Sequence, residues 1–240
     1  MTLQPGLFKK KHLLHWMLSG TVIGIIFFSA FVYMTEQKAA KQRHQTDTEW
    51  SLVGRAVTAQ DHSIGNIAAP VEVIVYSNFS CKDCATFFEN QVPKLQRMFG
   101  YKVVFAYRHR VLTSQPNEAA EDASECVYQS GGNDSFWKFA ADMFSRPSAV
   151  SALTQTELTA AAIRAGVDEK TFVQCMKMGG GKGRVAKDTL EASVAGMSQD
   201  PSYLLKSAYR ATVIKGDNSS QIVSSIQYLL DTSLQIEKLK

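Results

Sequence analysis

The sequence carries no marked excess of charge of one sign: 26 Lys and Arg stand against 22 Asp and Glu, a formal net charge of +4. Lys9, Lys10 and Lys11 cluster near the N-terminus, so the remainder is close to neutral. A nucleic-acid binder needs a concentrated basic face, and no such partner is expected here. Internal repeats are absent, which excludes solenoids and propellers. There is one C-x-x-C among the four cysteines, and the five histidines are scattered. The second ligand pair of a common zinc site is therefore missing, and no metal or other cofactor is implied. A phosphate loop is missing too. In Gly179-Gly180-Gly181-Lys182-Gly183, Met176 stands where the first glycine belongs and Gly183 replaces the magnesium-binding hydroxyl, so the run reads as a helix break.

Long apolar runs are confined to Leu13–Met34. As a helix, its roughly 22 residues rise about 33 Å, matching a hydrocarbon core of ~30 Å. Trp16 and Tyr33 sit near its ends, where amphipathic rings favour the lipid boundary, and the lysines before it predict a cytoplasmic N-terminus. A cleaved signal peptide usually has a shorter apolar core and a small-x-small cleavage site; Phe28, Gln37 and Lys38 occupy positions where small residues belong. An uncleaved single-pass anchor in an inner or plasma membrane is the preferred reading, and either reading exports everything after Met34. In an oxidising compartment an even cysteine count is compatible with disulfides.

The sequence predicts residues 1–12 as cytoplasmic, 13–34 as the anchor, 35–60 as a polar tether and lead-in, and 61–240 as one domain. Trp50–Val57 reads as a short lead-in strand or lid, and Asp61–Pro70 carries turn signals. Val71–Tyr76 is almost wholly apolar, the pattern of a strand buried on both faces. A helix follows over Ala85–Met98, with Pro93 expected to kink it. Lys102–Arg108 is the next strand. Helices are expected over Asn117–Gln129, Ser135–Ser145, Thr156–Ala165, Glu169–Met178 and Arg184–Ala195, then strands at Tyr203–Leu205 and Ala211–Ile214 and a last helix at Ser220–Leu230. This order resembles an α/β thioredoxin-like fold with an all-helical insertion at about 116–178.

The chemistry sits between the first strand and its helix, at Cys81-Lys82-Asp83-Cys84. Cys81 falls at the helix N-terminus, where unpaired N–H groups and the helix dipole stabilise a thiolate. Cys84 lies one turn further in, placed to attack a mixed disulfide. An inert disulfide and half of a zinc site are the rival readings.

Asp61-His62-Ser63-Ile64-Gly65-Asn66, Ala69-Pro70-Val71, Phe79-Ser80-Cys81-Lys82-Asp83-Cys84 and Tyr107-Arg108-His109 together resemble the DsbA-like oxidoreductases. The likeness continues through Ala119-Ala120-Glu121, Cys126, Phe136-Trp137 and Gly166-Val167-Asp168, and spans about Asp61 to Leu230. It implies a disulfide passed from Cys81–Cys84 to exported thiol proteins, and a membrane redox partner that restores it. It also implies a cis-proline facing the cysteines, at Pro201. In this family the preceding residue is usually threonine or valine, whereas here it is Asp200, an acid that would disfavour a nearby thiolate. Lys82 and Asp83 occupy the tuning dipeptide, where the family often places proline first, and Asn78 stands where many relatives have an acid. Some relatives carry a second disulfide in the insertion; with export and the even cysteine count, this implies a Cys126–Cys175 bridge, the other reading being two buried thiols.

The function expected is that of a membrane-anchored thiol–disulfide oxidoreductase, an oxidase rather than a reductase or isomerase. The alternative is a catalytically weak, tethered module that holds extended peptides beside Pro201. His109 is expected as a surface or satisfied histidine, and Phe136, Trp137, Phe139, Met143 and Phe144 as core.

Overall fold

The structure, a computed structural model, describes residue 24 and residues 27–38, 54–111, 118–216 and 219–238. The chain divides into two units, residues 1–49 and 50–240. In the first, residues 27–38 are helical (α1), with Phe27, Phe28, Phe31, Tyr33 and Met34 exposed. Among the described residues no helix is long and apolar enough to cross a membrane. The expected cytoplasmic residues 1–12 lie outside the described residues, as do most of the Leu13–Met34 anchor and residues 39–53 of the tether and lead-in.

The second unit is built on five strands: β1 (His62–Gly65), β2 (Val71–Ser77), β3 (Val103–His109), β4 (Ser202–Lys206) and β5 (Ala211–Lys215), in the spatial order β1-β3-β2-β4-β5. β2 and β3 are parallel, and the other neighbours are antiparallel. Successive side chains of the central strands enter two different cores. Val71, Val73, Val75, Phe105, Tyr107, Tyr203 and Leu205 face one, while Ile74, Tyr76, Val104, Ala106 and Leu204 face the other. Burial on both faces is why β2 shows no polar alternation in sequence. Each fully buried Val, Ile or Phe is worth about 1.5–3 kcal/mol over exposure.

The first core is covered by α2 (Lys82–Thr86), α3 (Val92–Phe99), α4 (Ala119–Phe144), α5 (Gln155–Arg164), α6 (Glu169–Met178) and α8 (Ser219–Glu237). The second is covered by α7 (Lys182–Val194), with Ala192, Met197 and Val57 against the sheet. Between α7 and β3 runs a buried ionic network. Arg108, fully buried, donates to Asp61 Oδ1 and Glu191 Oε1, each at 3.1 Å, and Arg184 reaches Asp188 Oδ2 at 3.1 Å. Buried charges persist only when paired in this way.

Several elements depart from the sequence expectation. The region Asp61–Pro70, read as turn, contains β1, an edge strand whose four residues are too few for a periodic pattern; it forms because β3 supplies partners for its backbone. Residues 54–57 of the lead-in are not a strand, although Val57 N–H donates to Glu72 Oε2 at 3.1 Å. The helix after the cysteines begins earlier, at Lys82, and Pro93 does not simply kink it. Residues Phe87–Gln91 form a π turn in which Val92 N–H bonds to Phe87 O. Pro93 has no N–H to give and its ring would strike the carbonyl four residues back; the wider turn removes that clash. The two helices expected around residues 117–145 are present: they share the label α4, but Gly132, at φ 72° and ψ −167°, breaks the helix between them. The glycine run ends α6 as expected, with Gly179 in the left-handed conformation at φ 65°.

Cys126 of α4 and Cys175 of α6 are disulfide-bonded, closing a loop with a sequence separation of 49 residues. In the chain-entropy model such a loop stabilises the fold by about 4 kcal/mol. Replacing both cysteines with alanine should lower the midpoint of thermal unfolding by roughly 10 °C. Calorimetry of the double variant checks this, and an unchanged midpoint would show that the bridge contributes nothing.

Candidate active site

Cys81 and Cys84 form the second disulfide, with Cα atoms 5.2 Å apart. Cys81 is the N-cap of α2, with φ −84° and ψ 111°, and its Sγ accepts the N–H of Cys84 at 3.0 Å. This capping bond requires an acceptor at position 81, and sulfur supplies it in place of the usual oxygen. The two sulfurs sit in unequal surroundings: Cys84 is fully buried while Cys81 is partly exposed. Lys82 and Asp83 open the helix with exposed side chains.

The Asp200–Pro201 peptide bond is cis. Its place follows from the sheet register: β2 pairs with β4 up to Tyr76 opposite Ser202, and the next residues outward are Ser77 with Pro201 and Asn78 with Asp200. Asn78 Nδ2 donates to Asp200 Oδ2 at 2.8 Å, and Asn78 Oδ1 accepts from Ser80 N–H at 3.0 Å. The loop entering the cysteines is thereby tied to the proline loop. Asp200 also forms an ion pair with Arg110, whose Nε donates to Met197 O at 2.8 Å. Burial pushes the Asp200 carboxyl up, opposed by Arg110 and Asn78. Asp200 is therefore not the isolated acid that its sequence position suggested; sequence reading missed Arg110.

Beneath the site lies a second cluster. Glu125 Oε1 is shared by His62 Nε2 at 2.5 Å and His109 Nε2 at 2.8 Å, and all three residues are buried. His62 stacks on Phe136 with ring centroids 3.6 Å apart. Burial lowers the His62 pKa despite Glu125. Burial also opposes charge on His109, but the hydrogen bond and charge of Glu125 outweigh it and the pKa rises. Glu125 is held well below the usual carboxylate range, because its two histidines outweigh its own desolvation. These atoms are the only group of metal-ligating type among the described residues. The three ligand atoms lie within 4.8 Å of one another, with the Glu125 carboxylate hydrogen-bonded to both imidazoles. Glu121, one turn before Glu125, accepts the Phe79 N–H at 3.1 Å, and burial raises its pKa. The four-residue spacing of two acids within an alanine-rich helix was the signal available in sequence for this buried polar stripe. Phe136, Phe139, Met143 and Phe144 are buried beside it, with Trp137 half-buried.

A family model described as thioredoxin matches residues 57–223. The chain belongs to this thioredoxin family. Its fold is similar to that of BdbD from Bacillus subtilis, with 22% identity, TM-score 0.61, and coverage of 74% of this chain and 97% of that one. DsbA from Chlamydia trachomatis is 16% identical with TM-score 0.62, covering 76% of this chain and 96% of that one. The thiol-disulfide exchange protein α-DsbA2 from Wolbachia pipientis is 15% identical with TM-score 0.62, covering 79% and 98% respectively. A comparison with curated protein sequences found no match. The likeness to these structures is one of fold: a thioredoxin core interrupted by helices, here with Cys81–Cys84 at the start of α2 and Pro201 at the start of β4.

The histidine cluster of this thioredoxin-family chain gives a titration test. His109 in the folded state should titrate above its ordinary value of 6.5, so its contribution to stability is full below pH 6.5 and lost as pH rises through the folded pKa. His62, with a lowered pKa, contributes in the opposite sense: its stability is present above pH 6.5 and lost as pH falls through the folded value. Glu125→Gln should remove the largest of the contributions that raise His109, leaving Asp188 and Glu121 to oppose burial, so the His109 pKa should fall; it should also destabilise the fold by about 3–5 kcal/mol as a broken buried pair. NMR titration of the imidazole protons and urea unfolding measure both effects; a His109 pKa unmoved by the substitution would contradict the assignment.

Proposed function

We propose that this protein is a thiol–disulfide oxidase acting on exported proteins, with Cys81 and Cys84 as its redox pair. The observation that carries the reading is the asymmetry of the two sulfurs: Cys81 is partly exposed and hydrogen-bonded at a helix N-terminus, and Cys84 is buried behind it. A substrate thiolate attacks Cys81 Sγ, the Cys81–Cys84 bond breaks, and Cys84 leaves as a thiolate that takes up a proton. A second substrate thiolate then attacks the substrate sulfur of the mixed disulfide, forming the substrate's disulfide and releasing Cys81 as a thiolate stabilised by the N–H groups around it. Two electrons pass from substrate to enzyme, and a membrane redox partner takes them away again. The cis Asp200–Pro201 loop beside the cysteines supplies backbone groups for an extended substrate segment. Lys82 and Asp83, exposed between the two cysteines, act on the Cys81 thiolate with opposite charges.

Two further features support the setting. Leu13–Met34 has the length and composition of an anchor, which would hold the domain on the periplasmic or extracellular side of an inner or plasma membrane. The fold neighbours include a protein described as acting in thiol–disulfide exchange. The alternative reading, a catalytically weak, tethered peptide-binding module, rested on Asp200 and Asp83; the Arg110 ion pair weakens the first of these grounds.

The test is chemical. In reduced full-length protein, Cys81 should have a pKa below the ~8.5 of a free cysteine and be alkylated before Cys84 at mildly acidic pH. Cys81→Ser should abolish oxidation of a dithiol peptide, and Cys84→Ser, given the oxidised peptide, should accumulate a mixed disulfide as the Cys81 thiolate attacks the peptide disulfide and releases a peptide thiol. Preferential alkylation of Cys84, or full activity of Cys81→Ser, would refute the assignment.

A further inference from the structure

Arg110, immediately after β3, connects the cysteine loop with the proline loop. Its own N–H donates to Ser77 O at 2.7 Å, anchoring it to the end of β2 two residues before Phe79. Its carbonyl accepts from Asn78 Nδ2 at 3.4 Å. Its guanidinium reaches the opposite loop, donating to Met197 O at 2.8 Å and pairing with Asp200 Oδ1. Asn78 completes the ring through Asp200 Oδ2 at 2.8 Å. Both charges are nearly excluded from water, with side chains 6% and 12% exposed. Water screens such a pair poorly, so loss of either partner leaves the other charge acting on its neighbours nearly undamped.

We infer that Arg110 is a positioning residue for thiol–disulfide exchange: through Asp200 and Asn78 it fixes the proline loop against the cysteine loop, and it cancels the Asp200 charge at the sulfurs. The inference rests on the redox reading of Cys81 and Cys84. Arg110 touches neither sulfur nor substrate in this role; it acts through Asp200. The acid before Pro201 can be accommodated because its counter-charge is built into the end of the neighbouring strand.

The sign of each perturbation follows. A positive charge stabilises the Cys81 thiolate, hence the reduced form, and makes the pair a stronger oxidant; a negative charge does the reverse. Asp200→Asn unmasks the guanidinium, and Arg110→Gln unmasks the carboxylate. The measurement is the equilibrium constant of the full-length protein against glutathione at pH 8, where an unpaired carboxylate is ionised. Asp200→Asn should raise the constant for oxidation of glutathione by at least about threefold, and Arg110→Gln should lower it by at least about threefold. The double variant should lie between them, and Arg110→Lys, which keeps the charge, should stay within about twofold of the wild type. A residue that merely held the loop in shape would move both single variants in the same direction. That result overturns the proposal, as does the absence of a shift in Asp200→Asn. If Arg110→Gln does not fold, Asp200→Asn and Arg110→Lys decide the matter by the same criteria. A wild-type pair that does not equilibrate with glutathione overturns the redox reading itself, and the inference with it.

Discussion

Covering both faces of the sheet is the constraint on which the rest of this structure depends. With α7 on one side and α2 through α6 and α8 on the other, polar groups on the central strands have no water to turn to, and each must be matched inside the protein. The end of β3 shows how this is met. Arg108 points into the ionic network under α7; His109 points the other way, to Glu125; and Arg110, where the strand has ended, turns to the proline loop. Three consecutive side chains thus fasten three different parts of the protein to one strand terminus. The alternation is that of any β-strand, but here it distributes charged groups rather than apolar ones.

The same requirement links packing to the site. The cysteines stand at the carboxyl end of β2, beside the point where parallel β3 finishes and antiparallel β4 begins. The backbone ladder stops there, and side chains take over the pairing: Asn78 replaces the next rung by bonding Asp200. The loop that holds Cys81 and the loop that holds Pro201 are consequently positioned by one hydrogen-bonded ring. The buried carboxylate of Glu125 performs a comparable service one layer deeper, joining β1, β3 and α4 through two imidazoles.

Much of this was legible in the sequence, for identifiable reasons. Val71–Tyr76 reads as a doubly buried strand because its residues are apolar without alternation, and the C-x-x-C after it marks the turn that carries the chemistry, although the helix starts at Lys82, before the Ala85 that its apolar spacing indicated. The order of elements, with a helical block before a terminal hairpin, yields the fold. What escaped was whatever depends on partners remote in sequence. β1 is too short to carry a period, and its pairing with β3 is a tertiary event. The π turn is a response to Pro93 that the helical pattern does not encode. Arg110 has no local signal, because its role exists only once Asp200, 90 residues away, lies beside it. Glu121 and Glu125 did leave a trace, as acids at helical spacing in an otherwise small-residue helix, but nothing local says that they face inward.

The bond between Cys126 and Cys175 joins the helix by which the chain enters the insertion to the helix by which it leaves. The insertion is therefore a closed excursion from the sheet, gathered at its neck. The end of α4, the 3₁₀ turn at Pro147–Ala152 and helix α5 all lie inside the noose. Lengthening or shortening that segment changes how far the helical cap extends over the cysteines while the spacing at the neck, and so the sheet beneath it, stays as it is. The reach of the cap can therefore change without rebuilding the machinery underneath.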